Sequence, residues 1–251
     1  MSITLATIAS GSSGNSNLVI SGNTVLMSDC GISGKKAISG LNELGLNIPD
    51  AILLTHSHQD HVKGVFTLAK KWDIPIYATE KTADECSFIP KEYIKAITPG
   101  NVFSVSGIDI KPFSVSHDTA SPVAYTFTKS GYKAAIITDT GTVTEAIFSE
   151  LKYSESIIIE SNHDEKMLME GPYPYFLKKR ILSDKGHMSN TLCSKVCKAL
   201  LENGTKNFML AHLSEHNNTA SLAEGCTKQI LETVGIGFTL KVAKKDSPSC
   251  L

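Results

Sequence analysis

The segment THSHQDH at residues 55–61 places three imidazoles and a carboxylate within six residues, directly after the apolar run AILL. The chain has eight histidines in all. A single histidine is more often an ordinary polar residue than a ligand, but chance rarely groups three beside an aspartate. Imidazole nitrogen and carboxylate oxygen together suit zinc or another borderline divalent ion. The segment therefore predicts a metal site in a loop that leaves a buried strand.

Four ligands in one loop exceed what a single tetrahedral ion takes when it must also hold a water molecule. The four candidate ligands are His56, His58, Asp60 and His61. Two ions that share the loop resolve the excess. We therefore expect two divalent ions per chain, and both zinc and manganese accept this ligand set.

Further metal-competent side chains stand at the ends of other predicted strands. His117 follows a strand at 108–116, Asp139 follows one at 134–138, and His212 follows one at 207–211. Strand ends that project into a shared crevice are where α/β folds build sites. These three residues would complete the two coordination spheres, with Asp139 as the bridge.

Strand-like and helix-like segments alternate in a way that predicts an α+β fold of four αββα layers. Hairpins dominate the first part, strand–helix units follow, and a second set of each completes the pattern. The strands are expected at 3–9, 17–21, 24–28, 51–55, 74–78, 101–105, 108–114, 123–128, 133–138, 156–160, 207–211 and 237–242. The helices are expected at 33–44, 64–72, 143–151, 174–182, 191–202 and 220–233, with Thr142, Asn190 and Thr219 as candidate N-caps.

Composition and charge limit the partners and the cellular location that we expect for the protein. The net charge is −1 and the sequence pI is about 6.7, so binding to a polyanion must come from a local basic patch. The sequence has no signal-peptide pattern and no apolar run long enough to span a membrane, and its cysteines lack the spacing of a disulfide-rich domain. These features predict a cytoplasmic protein without a membrane partner. Cys193 and Cys197 are expected to be core residues, with a zinc pair as the alternative. One domain is expected over residues 1–251, with a flexible tail of about eight residues.

At this point the sequence resembles the metallo-β-lactamase superfamily, whose signature H-x-H-x-D-H is matched by THSHQDH. Asp29 in LMSDCG resembles that superfamily's structural acid, which braces the histidine loop. The resemblance implies an αββα sandwich with a dinuclear site at one edge. It assigns one ion to His56, His58 and His117. It assigns the other ion to Asp60, His61 and His212, with Asp139 between the two.

A closer resemblance is to the WalJ/YycJ group of bacterial metallo-hydrolases, a group linked to DNA exonuclease activity. The segments that carry it are IASGSSGNS, DCGIS, ESNHD, GHMSN and AHLSEHNN. The late segments IIIESN, GHMSNTLC and FMLAHLSEHNN are also similar to ribonuclease Z. No segment resembles that enzyme's tRNA-binding arm, and the interval between Asp139 and His212 leaves no room for a β-CASP insertion. This favours nuclease chemistry over tRNA processing.

Catalytic roles follow for three residues. Asp60 would orient or deprotonate the attacking hydroxide, and His187 would act as general acid for the departing alkoxide. Glu160 would hydrogen-bond to the ring of His187 and favour its protonated form. The alternative for His187 is a helix-start residue that bonds only to backbone.

Substrate contacts are expected from polar residues around these strand ends. Small residues at 10–16 let backbone N–H groups approach a phosphate, although a plain hairpin turn is an equal alternative. His163 would touch substrate or brace a ligand. The predicted substrate-binding residues are Ser12, Asn15, Asn162, His163, Ser189, His216 and Asn217.

The sequence thus predicts a dinuclear metal-dependent phosphodiesterase that hydrolyses nucleic acid, most simply a DNA exonuclease, with RNA as the other polymer. The runner-up is a small-molecule metallo-hydrolase, such as a thioesterase, lactonase or β-lactamase. A flavo-diiron protein is disfavoured because His58 stands where that branch usually has an acid, and a metal-free scaffold is disfavoured by the intact ligand set. The basic residues Lys178, Lys179, Arg180 and Lys185 form either a nucleic-acid strip or a solvated helix face.

Overall fold

The computed structural model describes residues 2–251, in which two seven-stranded sheets pack face to face with helices on their outer sides. The strands are β1 (Thr4–Ala9), β2 (Ser16–Ser21), β3 (Thr24–Ser28), β4 (Ala51–Leu53), β5 (Ile76–Thr79), β6 (Ile94–Ile97), β7 (Phe103–Val105), β8 (Ile108–Ser114), β9 (Val123–Lys129), β10 (Tyr132–Ile137), β11 (Ser156–Glu160), β12 (Asn207–Ala211), β13 (Thr239–Val242) and β14 (Ser249–Cys250). The predicted four-layer αββα sandwich is confirmed.

Each sheet is half antiparallel and half parallel. The first sheet has the order β14-β1-β2-β3-β4-β5-β6, and its strands run parallel from β3 onward. The second has the order β13-β12-β11-β10-β9-β8-β7, with the parallel half between β10 and β13. The carboxyl ends of β3 and β4 in one sheet and of β10, β11 and β12 in the other lead into the site described below.

The helices are α1 (Gly34–Glu43), α2 (Gln59–Val62), α3 (Val65–Trp72), α4 (Glu80–Glu85), α5 (Glu145–Leu151), α6 (Glu165–Glu170), α7 (Tyr175–Ile181), α8 (Asn190–Glu202) and α9 (Ala220–Glu232). Six N-cap side chains accept hydrogen bonds from helix N–H groups, and three of them bear on the predicted caps: Thr144 for α5, Ser189 for α8 and Thr219 for α9. The predicted caps Thr142 and Asn190 are therefore corrected to nearby hydroxyl residues. In the described residues, every helix is too short or too polar to span a bilayer.

Three apolar layers hold these elements together. Because side chains alternate along a strand, Ile158 of β11 faces the layer between the sheets, while Ile157 and Ile159 face the helices. The layer between the sheets also contains Tyr125 and Phe127, both fully buried. The first sheet packs on α1 and α3, and the second packs on α5, α8 and α9.

The prediction for the cysteine pair and the prediction for the C-terminal tail have different outcomes. Cys193 and Cys197 are buried in the apolar layer beneath α8, with 3.9 Å between their sulfur atoms, which confirms the core prediction. The tail prediction is wrong for the last three residues. Ser249 and Cys250 pair antiparallel with β1, and Leu251 N donates to Leu5 O at 2.9 Å. An uncovered β1 would present unpaired N–H and C=O groups, and the short strand satisfies them. One domain over residues 1–251 stays a prediction.

Candidate metal centre

The structure brings all seven predicted ligands into one cluster at the shared edge of the two sheets. The donor atoms form overlapping groups in which every atom lies within 4.8 Å of the others. Three of these groups are His56–His58–His117, Asp60–His61–His212 and His56–His61–Asp139. The first two are the two ligand sets that the resemblance implies. Their convergence is a property of the fold.

Asp139 lies between the two sets. Its Oδ2 is 3.2 Å from His61 Nε2, and its Oδ1 is 3.6 Å from His212 Nε2 and 3.8 Å from His117 Nε2. Asp60 Oδ2 is 3.4 Å from the Nε2 atoms of both His61 and His212. One carboxylate therefore reaches both sets, as a bridging ligand would.

Two buried polar atoms test whether the cluster fits metal ions. His56 Nε2 and Asp139 Oδ2 are buried, and neither has a hydrogen-bond partner among the described residues. His58 Nδ1 and His117 Nε2 face each other at 3.2 Å. Buried polar groups are normally paired, so lone pairs that converge without donors indicate a cation. The mixture of imidazole and carboxylate suits a divalent ion of the zinc or manganese type.

Asp29 fixes the histidine loop from behind, in the position that the resemblance predicts. Its Oδ1 accepts a hydrogen bond from Thr55 N at 2.9 Å, and its Oδ2 accepts from Thr55 Oγ1 at 2.7 Å. The same Oδ2 lies 2.8 Å from His61 Nδ1, and Thr55 Oγ1 lies 2.9 Å from His56 Nδ1. Because the Nδ1 edges are occupied, the Nε2 atoms of His56 and His61 are left to face the centre.

Glu160 performs the same task on the second sheet. Its Oε1 lies 2.7 Å from His212 Nδ1 and 2.8 Å from His187 Nδ1. Its Oε2 accepts from the backbone N–H groups of Thr140 and Met188 at 3.1 and 3.0 Å. Burial alone would raise the pKa of Glu160, but the two histidines lower it to about 2, so the carboxylate is ionised at neutral pH.

The acidic ligands are ionised as well. Burial opposes the charge on Asp60, yet hydrogen bonds with His212 and His61 lower its pKa overall. Burial also opposes the charge on Asp139, and the neighbouring histidines lower the pKa of that carboxyl well below its usual range. Burial lowers the pKa of His56 well below its usual value, which keeps that imidazole neutral and able to donate a lone pair. Asp60 and Asp139 therefore supply negative charge and His56 supplies a free lone pair, as a cation needs. Although burial opposes a charge on either ring, the same carboxylates raise the pKa of His212 to about 10 and that of His61 well above its usual value, so a metal ion would displace a proton from each ring.

Three residues of the site have left-handed backbone conformations, with φ of 62° at Asp29, 57° at Asp139 and 56° at His212. Each follows a strand. The turns at Asp139 and His212 direct those side chains into the crevice, and the turn at Asp29 directs its side chain behind the histidine loop. This region is sparsely populated by residues other than glycine, and such conformations typically cost about 1–3 kcal/mol each. No pattern in the sequence predicted these turns.

The loop at residues 60–61 is also held by direct contact between backbones. Asn15 N donates to Asp60 O at 2.8 Å, and Cys30 N donates to His61 O at 2.8 Å. Gly31 approaches so closely that a Cβ built on it would lie 1.5 Å from Asp60 O. Only glycine fits there without movement of the loop that carries two predicted ligands.

Five of the seven predicted substrate contacts are buried, and their contact with substrate stays a prediction. Asn15 is 1% exposed, and its side chain bonds to Gly11 N and Asp60 Oδ2. Asn162 Nδ2 donates to His212 O at 2.9 Å, so it braces the strand end. Asn217 is fully buried and bonds to Ser214 Oγ. The side chains of Asn162 and Asn217 therefore face the protein, whereas that of Asn15 bonds to a predicted ligand at the cavity wall.

Ser189 and His163 are the other two buried residues of this set. Ser189 caps α8 and donates to Glu165 Oε1 at 2.8 Å, so its hydroxyl is already engaged. His163 is 1% exposed, and neither ring nitrogen has a partner within residues 2–251. Burial lowers its pKa to about 4.

The remaining two predicted contacts are exposed. Ser12 lines a cavity of about 330 Å³ together with Asp60, Asp139, His187 and His212. His216 stacks edge-on against Tyr173, with 5.8 Å between the ring centroids. Only Ser12 of this pair lines the cavity.

Asp118 and Arg180 are site residues that the sequence analysis did not assign. Asp118 Oδ1 lies 3.4 Å from His117 Nε2 and 3.5 Å from His58 Nε2, while its Oδ2 accepts from Arg180 Nε at 2.6 Å. Arg180 lines the same cavity. The signals available in the sequence were that Asp118 adjoins a predicted ligand and that Arg180 is the only arginine of the chain.

The contact between Gly31 and Asp60 yields a prediction. Gly31→Ala should displace the histidine loop, reduce bound metal to less than half of the wild-type content, and destabilise the protein by about 1–3 kcal/mol. Elemental analysis and urea unfolding measure the two effects. Gly225→Ala is the matched control, since Gly225 lies in α9 with no atom within 4 Å of the added methyl group. Full metal content in Gly31→Ala would contradict this account of the loop.

His163 yields a prediction about pH. The folded protein holds this ring neutral down to about pH 4, whereas the unfolded chain protonates it near its usual value of 6.5. The unfolded state therefore binds the extra proton first, and the free energy of unfolding should fall by up to about 3 kcal/mol as pH drops from 6.5 to 4. His163→Gln should lose this part of the pH dependence. Urea unfolding of both proteins with a chelator measures it, and parallel curves across this range would refute the assignment.

Known protein sequences are similar to this chain along most of its length. The profile of a family described as "Beta-lactamase superfamily domain" matches residues 27–213, a span that contains all of the predicted metal ligands. Exodeoxyribonuclease YycJ of Bacillus anthracis is 39% identical over 243 residues, which cover 94% of this chain and 92% of that protein. Exodeoxyribonuclease WalJ of Streptococcus pneumoniae is 38% identical over 245 residues, which cover 94% of this chain and 91% of the WalJ chain.

Solved structures share the architecture at low sequence identity. The metallo-beta-lactamase fold protein YhfI from Bacillus subtilis superposes with a TM-score of 0.73 at 18% identity, over 99% of this chain and 100% of its own. The short form of human tRNase Z superposes with a TM-score of 0.65 at 15% identity, over 98% of each chain. At such identities the likeness establishes the fold alone. Because the family profile spans most of the chain and the curated relatives span nearly all of it, the chain belongs to the beta-lactamase superfamily.

Proposed function

We propose that this chain is a dinuclear metal-dependent phosphodiesterase that hydrolyses nucleic acid, with DNA as the favoured polymer and exonucleolytic attack as the favoured mode. The chain is a metal-dependent hydrolase of the beta-lactamase superfamily. The observation that carries the finer proposal is the Glu160–His187 pair, whose imidazole lines the cavity beside the predicted ligands. The names of the two exodeoxyribonuclease relatives support the same substrate class.

The ligand sets would hold two divalent ions, which we propose to be zinc or manganese. His56, His58 and His117 would bind one, Asp60, His61 and His212 would bind the other, and Asp139 would contact both. Such a pair of ions supplies an activated water molecule and neutralises charge on a phosphate. All six cysteines are free thiols, which supports the cytoplasm as the proposed location.

The chain's own residues supply the proton transfers. Asp60 extends an ionised carboxylate to the cavity wall, where it would orient the attacking water. Glu160 occupies Nδ1 of His187, so the Nε2 atom is the one available to a departing alkoxide. The His187 side chain is 19% exposed, enough to reach a substrate while its ring stays fixed by Glu160.

A small-molecule metallo-hydrolase remains the competing function. The same ions would polarise the carbonyl of a thioester, lactone or β-lactam, but that chemistry does not require a fixed imidazole at the leaving group. A substrate panel separates the two classes: labelled DNA and RNA with bis-p-nitrophenyl phosphate, beside a thioester, a lactone and nitrocefin. We expect turnover of the phosphodiesters. Turnover confined to the carbonyl substrates would remove the nuclease proposal.

The role of His187 gives a second test. His187→Ala should lower kcat on DNA about 10²–10⁴-fold, because a general acid typically contributes that much. The loss should be much smaller on bis-p-nitrophenyl phosphate, since p-nitrophenolate departs without a proton. Elemental analysis should find unchanged metal content. Full activity of the variant on DNA at every pH would exclude the acid role.

A further inference from the structure

The surface of α7 beside the metal cavity combines large exposed aromatic rings with positive charge. Tyr175 is 67% exposed and Phe176 is 74% exposed. Lys179 Nζ lies 4.9 Å from the centroid of the Tyr175 ring. We call Tyr175, Phe176, Lys179 and Arg180 the α7 surface. Neighbouring apolar side chains that are exposed together and bordered by polar residues mark interaction sites.

The charge of this helix differs from that of the whole chain. The sequence of α7, YFLKKRI, contains three basic residues and no acidic one, although the chain has a net charge of −1. Lys178 is tied to Met169 O at 2.7 Å, whereas Lys179 and the Arg180 side chain are exposed. A polyanion is the complementary partner for such a surface.

Arg180 makes the surface continuous with the metal cavity. Its side chain lines the cavity, and Asp118 holds its Nε at 2.6 Å. Phe176 lies four residues earlier, so it projects from the same helical face one turn away, about 6 Å along the axis. An exposed aromatic ring and a guanidinium group therefore follow one another along α7, and the guanidinium side chain lines the cavity of the predicted metal ligands.

We propose that the α7 surface binds the single strand of a nucleic-acid substrate and leads it to the metal centre. Phe176 stacks on an unpaired base, and Arg180 binds a phosphate next to the one that is hydrolysed. Aromatic stacking combined with basic side chains is the general means of binding single strands without sequence preference. A duplex hides its paired bases from such a ring, so the strand segment bound here is an unpaired one. This inference rests on the proposed nuclease function and adds how the strand that is cleaved reaches its site.

The first test measures binding by metal-replete protein to a fluorescent single-stranded phosphorothioate oligodeoxynucleotide. Phe176→Ala should weaken the affinity about tenfold, since base–aromatic stacking contributes that order of binding. Tyr153→Ala is the matched control: Tyr153 is 71% exposed and precedes β11, about 16 Å from the end of that strand at Glu160. The control should bind like the wild type. Equal affinity of Phe176→Ala and wild type would overturn the proposal.

The second test addresses the phosphate contact. Arg180→Gln should reduce the slope of log affinity against log salt by about 0.7, the value expected for one phosphate contact on a single strand. Lys71→Gln removes an exposed charge at the far end of α3 and should leave the slope unchanged. A slope unaffected by Arg180→Gln would remove Arg180 from the binding path. Circular dichroism and elemental analysis verify that each variant keeps its fold and metals.

The outcomes separate this inference from the proposed function. If the wild type cleaves DNA and Phe176→Ala binds the strand equally well, strand binding by the α7 surface is refuted and the nuclease proposal is retained. If the wild type binds the strand through Phe176 but cleaves no nucleic acid, strand binding is retained and the nuclease proposal is refuted. If Phe176→Ala leaves binding intact but converts a dimer to a monomer in size-exclusion chromatography, the surface is a contact between copies of this chain, and the strand proposal is wrong.

Discussion

The hydrogen bonds to the buried carboxylate of Asp29 are the interaction on which the rest of the site depends. A carboxyl group at 0% exposure is costly unless it is well paired, and Asp29 is bonded by Thr55 N, Thr55 Oγ1 and His61 Nδ1. These bonds orient His61 directly and His56 through Thr55, and they determine which ring nitrogens of the two face the crevice. If the loop lost this anchor, the donors of THSHQDH would have no common direction.

Glu160 mirrors this arrangement from the opposite sheet, so the centre is assembled from two rigid halves. Asp29 follows β3 and organises donors of the first sheet, whereas Glu160 ends β11 and organises His187 and His212 of the second. The distance between the halves is set by the apolar layer that contains Tyr125 and Phe127. Tyr125 also links the halves directly, since its hydroxyl donates to Leu54 O just before the histidine loop. Packing between the sheets thus determines whether the two ligand sets meet.

The sequence predicted the fold class and the ligand cluster because both depend on local patterns. The apolar run in SIIIE and the spacing of His56 and His58 carry their information within a few positions. Features that depend on contacts distant in sequence were not predictable: the left-handed turns at Asp139 and His212, the pairing of Ser249 with β1, and the pairing of Asp118 with Arg180. Burial gives two of the predicted substrate contacts a structural partner. Asn15 and Asn162 have the chemistry of a phosphate contact, but that chemistry serves equally well to bond the backbone of a buried loop.

The close approach of Gly31 to Asp60 has a consequence for protein engineering. The H-x-H-x-D-H segment reads as a short, self-contained motif, yet its carboxyl-terminal half is shaped by main-chain contacts with two other stretches, around Asn15 and around Gly31. Grafting the seven residues alone onto a new scaffold would transfer the donor atoms without the backbone contacts that hold the loop in shape. The smallest portable unit is therefore a discontinuous one: the histidine loop, the N-terminal hairpin turn and the glycine that follows Cys30.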